Sequence, residues 1–180
     1  RLIPPAQPLP LQPFLSCVGD VVARMGTLQL DTIQVLLPLQ SYDDLADASL
    51  RNDGLFTPLS SAGWFFDCNP QASTRVQVVL NGGENPAIRS VAPALFQRLQ
   101  RIKQTVFVCD SFSLKDDTNM LKPMFLDDAF RRSQRSVTFY GTLVEWSLDA
   151  LGWLATFLAG ISFEVGVATP LLLTVSPLDG

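Results

Sequence analysis

Apolar and polar positions alternate with a period of two in several runs, and each run predicts a β-strand. In residues 27–37 (TLQLDTIQVLL) the alternation continues until Pro38 ends it. In 75–80 Val76, Val78 and Leu80 share one face, and Asn81-Gly82-Gly83 then supplies a turn with positive φ. Residues 105–109 predict a short strand. Residues 136–148 predict a long one, with Thr138, Tyr140, Thr142, Val144 and Trp146 on one side. Gly141 in its middle marks a bulge or a close backbone approach. Trp64-Phe65-Phe66 predicts a further strand after the Pro58/Gly63 turn region. The most apolar stretch, 150–163 (ALGWLATFLAGISF), is roughly half a dozen residues short of the ~20 that a bilayer helix needs. Glu164 interrupts it and Pro170 stops it. Ile161, Phe163, Val165, Val167 and Thr169 alternate with Ser162, Glu164, Gly166 and Ala168, so 161–169 is expected to be a half-buried strand and no membrane span.

Helical signals are fewer. Ser90 is placed to cap a helix running to Lys103, with Pro93 in its first turn and Leu95, Phe96, Leu99 and Ile102 as its apolar stripe. Residues 42–50 and 127–132 each predict a turn or two. Long strands joined by long connections predict an all-β fold, an eight-stranded jelly-roll (Greek-key) sandwich with two or three short helices in long loops. Residues 1–26 form an extended Pro-rich arm and lead-in, 27–170 the β-sandwich and 171–180 a C-terminal tail. Prolines at 4, 5, 8, 10 and 13 impose extended backbone on the arm. Its Leu2, Ile3, Leu9 and Leu11 call for an apolar surface to cover. Starting at Arg1 rather than Met, the chain is expected to be a trimmed piece or a product released from a longer precursor.

Composition narrows the function. Hydrophobic residues make up 47% and charged residues 17%, enough for a real core. Histidine is absent, which excludes Ser-His-Asp and Cys-His catalysis, His-ligated zinc or iron, and a histidine pH switch. Cys17, Cys68 and Cys109 are widely spaced with no CxxC pair, so buried free thiols are expected rather than a disulfide framework. A net charge of −4 argues against a nucleic-acid reader that works alone. The densest basic group, Arg131, Arg132 and Arg135, is too small to make a polyanion site by itself.

Each candidate for chemistry has a plainer account. Asp43/Asp44 with Asp47, Asp116/Asp117 and Asp127/Asp128 lack a D-x-D-x-D-G loop and read as solvated carboxylates. A weak Ca²⁺ at a subunit boundary stays open but unplaced. Asp31-Thr32 is followed by Ile33, not by the Gly of an aspartic-protease motif, so it reads as a strand position. Cys109-Asp110-Ser111 has no imidazole to activate a nucleophile. Asn81-Gly82-Gly83 lacks a phosphate-loop frame. Trp64, Phe65, Phe66, Tyr140, Trp146 and Trp153 without interleaved basic residues read as core rather than as a stacking platform. No catalytic residue, metal or cofactor is assigned, and the chain is not expected to be an enzyme.

The arm at 1–13, the β pattern of 136–148 and the closing run 161–169 followed by Pro170-Leu171-Leu172 together resemble single jelly-roll coat proteins of small non-enveloped icosahedral viruses, the picornavirus-like and tymovirus-like groups. The resemblance implies a capsid subunit that assembles with copies of itself or related coat chains into an icosahedral shell. Its place would be the virion, and the host cytoplasm during assembly. Leu2, Ile3, Leu9 and Leu11 of the arm and Leu171, Leu172 and Leu173 of the tail would then be inter-subunit contacts. RNA contact would be weak or indirect, through Arg131, Arg132 and Arg135, and a host receptor would be a further partner. Ten Arg against three Lys suit an interface protein. The alternative is a carbohydrate- or receptor-binding β-sandwich module, which an exposed Trp64 or Trp153 on a sheet face and a monomeric mass would favour.

Overall fold

A computed structural model describes residues 11–26, 29–37, 39, 62–83, 85–114 and 136–178. Alternation does build strands where it is clearest. β1 (Ile33–Leu37), β2 (Thr74–Asn81), β3 (Phe107–Ser113), β4 (Ser136–Leu143) and β5 (Leu171–Pro177) form one sheet in the order β1-β5-β2-β4-β3, with every neighbour antiparallel. One face carries Leu37, Val76, Val78, Leu80, Val137, Phe139, Leu143, Leu171, Leu173 and Val175, all buried in the common core.

Three helices supply the other side of that core. α1 spans Leu11–Met25, α2 Ala87–Arg101 and α3 Leu148–Glu164. α2 packs over β3 and β4, and α3 packs on the β1 side and against α2. Leu95 and Leu99 point α2 into the core, while Phe96 meets Phe112 at 5.1 Å and Phe112 meets Phe139 at 6.2 Å between ring centres. α3 starts at Ser147, whose side chain accepts a hydrogen bond from the Ala150 N–H. It is buried around most of its circumference: Leu151, Trp153, Leu154, Phe157, Leu158 and Ile161 are all enclosed. α1 closes its outer side, and a Cβ on Gly152 would stand only 2.8 Å from the Gln12 Cα. Arg98 clamps the end of α3 to α2 through Glu164, at 2.8 Å.

The all-β expectation is therefore overturned. Among the described residues there is a single five-stranded sheet layered with helices, not an eight-stranded sandwich. The predicted strand 161–169 is largely the last turn of α3 and its exit, ending at Gly166 with φ +89°. The tail is different too: Leu171, Leu172 and Leu173 form a strand between β1 and β2 and are buried within this chain. Part of the expected arm is helical, with Leu11 opening α1. Leu2, Ile3 and Leu9, the turns expected at 42–50 and 127–132, and Arg131, Arg132 and Arg135 lie outside the described residues. Trp64-Phe65-Phe66 forms no strand; a 3-10 turn runs over Ala62–Phe65. α2 begins three residues before its expected cap, and Asn85 Oδ1 takes the Ala87 N–H there at 2.9 Å. No described helix is long and apolar enough to cross a membrane.

Gly141 marks the close approach expected of it. β3 shifts register between Cys109 and Ser111 beside it, and a Cβ there would stand 2.3 Å from the Val108 carbonyl oxygen. Gly141→Ala is expected to lower stability in urea unfolding by about 1–3 kcal/mol, although Ala is the better strand former. Gly63→Ala, whose Cβ would meet only the Phe66 ring at 3.7 Å, should stay within about 0.5 kcal/mol of wild type.

Candidate functional site

Among the described residues, the loop before β2 holds the most exposed aromatic side chains. Its 3-10 turn repeats every three residues, so Ala62 and Phe65 are buried together while Gly63, Trp64 and Phe66 face outward. Trp64 is 83% exposed and Phe66 74%, against 6% for Phe65 between them. The turn is closed by backbone bonds from Phe66 N–H to Gly63 C=O and from Cys68 N–H to Phe65 C=O, both 3.3 Å. A second short turn, Pro70–Ala72, follows, capped by Asn69 Oδ1 on the Gln71 N–H at 3.0 Å.

This loop is fastened to the start of α3. The Cys68 thiol donates to Glu145 Oε2 at 3.3 Å, and the Ser147 hydroxyl donates to the other oxygen of the same carboxylate. Next to them, the Trp146 indole N–H donates to the Leu30 carbonyl at 2.6 Å and ties in the segment before β1. Burial pushes the Cys68 thiol up, helped by its hydrogen bond to Glu145 and by the charges of Glu145 and Asp67. Cys109, in the core, is pushed up to about 12 by burial and then by the Asp110 charge. Both sulfurs are thus thiols at neutral pH, poor nucleophiles and poor metal ligands. Cys17 lies exposed on α1.

Two other surfaces stand out. The face of the sheet turned away from the helices carries Gln34, Gln77, Asn81, Ser136, Thr138, Tyr140, Thr142 and Thr174, a predominantly polar set interrupted by Leu36, Val79 and Leu172. Asn81, Ser136 and Thr138 are nevertheless buried, and Gln34 donates to Thr174 at 3.3 Å. Thr138, Tyr140 and Thr142 share a side as the alternation predicted. At one end of this face Arg75 reaches past Thr142 to Asp110 at 2.7 Å. On α1, Phe14, Val21 and Met25 are exposed, one to two side chains' width round from the Leu11, Leu15 and Gly19 line that meets α3.

The sequence candidates distribute unevenly over these surfaces. Trp153 and Phe65 are core, as expected, with Trp153 stacked on Phe157 at 4.7 Å. Trp64 and Phe66 are not. Asp31 precedes β1, and Asp110 sits at the β3 bulge paired to Arg75. Asn81-Gly82-Gly83 forms a turn with Gly83 at φ +62° and its N–H on Asn81 Oδ1. Among the described residues, no three His, Cys, Asp or Glu side chains gather to hold a metal ion. The Cys68–Glu145 pair was not foreseen, since 77 residues separate its members and neither sits in a motif. No family model matches the chain, and no curated protein or solved structure shows significant similarity to it.

The Cys68–Glu145 bond makes a direct prediction. In a Cys17→Ser background, the pH midpoint for alkylation of Cys68 should fall in Glu145→Gln, because the variant removes the charge that disfavours the thiolate. An unchanged midpoint would show that the carboxylate does not act on the thiol.

Proposed function

We propose that this chain is a non-catalytic binding module that recognises a partner through the turn at 62–69. The observation that carries the reading is the arrangement of Trp64 and Phe66, held outward by a buried Phe65. Leaving a large aromatic side chain in water forgoes about 1.5–3 kcal/mol of burial. Exposed Trp is also the residue type that most often dominates a protein interface. The turn is rigidly based, since Phe65 anchors it in the core and Cys68 holds it to Glu145. Trp64 stands on a turn rather than on a sheet face, so the module differs in form from the sandwich first considered.

A second reading, an assembly subunit, draws on α1. Phe14, Val21 and Met25 extend its apolar arc well beyond the contact with α3. The shell-forming coat subunit leaned on two facing sheets; with one sheet covered by helices, its remaining support is this stripe. The two readings part on mass. Light scattering of the purified chain at micromolar concentration should give one species near 19.7 kDa for the module. A particle of many copies would overturn it in favour of assembly.

A further inference from the structure

Resting on that reading of the turn, we infer that its partner is cationic: an Arg- or Lys-bearing segment of another polypeptide seated on Trp64 and Phe66 beside Asp67. Asp67 and Glu145 put negative charge on the Cys68 side of the turn. Asp67 follows Phe66 directly and is exposed, and Glu145 lies behind it, 3.3 Å from the Cys68 sulfur. The ion pairs between described residues, Arg75–Asp110 and Arg98–Glu164, involve neither carboxylate. Glu145 accepts instead from two neutral donors, the Cys68 thiol and the Ser147 hydroxyl. A Trp face attracts a guanidinium or ammonium more strongly than any other ring does, and a carboxylate next to it adds a charge-assisted hydrogen bond. The same charges repel an acidic segment, and they give a neutral one nothing beyond apolar contact.

The test uses the full chain, labelled with nitrogen-15, and follows the indole resonances of Trp64, Trp146 and Trp153. Trp64→Phe identifies which resonance belongs to the turn. The probes are acetylated peptides alternating Gly with Arg, Lys, Glu or Leu, and a soluble glucose oligomer. The Arg and Lys peptides should move the Trp64 indole saturably while the Trp146 and Trp153 signals stay put. Asp67→Asn should weaken this binding about three-fold, the scale of one exposed cationic contact. Raising salt to about 0.15 M should weaken it further. If the Glu peptide moves Trp64 equally, or Asp67→Asn changes nothing, the cationic assignment is overturned. If only the Leu peptide or the sugar moves it, the cationic partner is overturned while the binding turn stands. If no probe moves it, the cationic partner falls, and a many-copy particle in light scattering would then remove the binding module as well.

Discussion

A helix with apolar side chains on every side has to be enclosed on every side, and α3 imposes that demand on the whole molecule. The sheet and α2 cover its inner half; among the described elements, α1 covers the outer half. Close approach is possible because α3 offers Gly152 at the crossing, where a single added carbon would collide with the α1 backbone. α1 reciprocates with Gly19, whose Cα faces the Leu148 side chain. The layer order of sheet, then α2 with α3, then α1 follows from this one requirement. Packing at native density turns a bare glycine into a positional constraint, since interiors have little slack to absorb a methyl group.

The same property hid α3 from the sequence. A helix reveals itself by an apolar stripe every three or four residues, and a helix enclosed all round has no stripe. What remained visible was a short accidental alternation at 161–169, which a period-two reading takes for a strand. The better signal was Ser147 followed by Asp149, an N-cap with an acidic first turn. β5 failed for the mirror-image reason: Leu171, Leu172 and Leu173 are enclosed on both faces of the sheet, so no alternation survives. β2, β4 and α2 were legible because each has one buried face and one polar one.

The turn at 62–66 shows how far two periodicities can coincide. Trp64 out, Phe65 in and Phe66 out satisfy a strand, yet they satisfy a 3-10 turn too. Only Ala62, buried together with Phe65 three residues later, separates the two. The aromatic residues of the site were therefore visible in the sequence, but their exposure was not. The cysteines were read as buried free thiols, which fits Cys109 but not Cys17, exposed on α1. The hydrogen bond from Cys68 to Glu145 depends on the loop before β2 meeting the start of α3, which no local pattern encodes. The close approach at Gly141 was readable because a glycine amid β-branched and aromatic residues has few other reasons to be there.

The choice between a second sheet and helices as the cover for the first can be argued from dimensions. Five strands at about 4.8 Å spacing span about 19 Å from edge to edge. Two helices, each about 10 Å across, cover that width side by side. α2 over β3 and β4 and α3 toward β1 therefore fill the apolar face, and no area is left on it for an opposing sheet. The far face is predominantly polar, with buried hydroxyl and amide groups that need hydrogen-bond partners, and so it is no substitute for an apolar inner face. On the binding reading proposed above, recognition is built outside both faces. The loop entering β2, anchored by Phe65 and held by Glu145 at the start of α3, lies where the sheet and helix layers meet, and its two outward rings belong to neither layer.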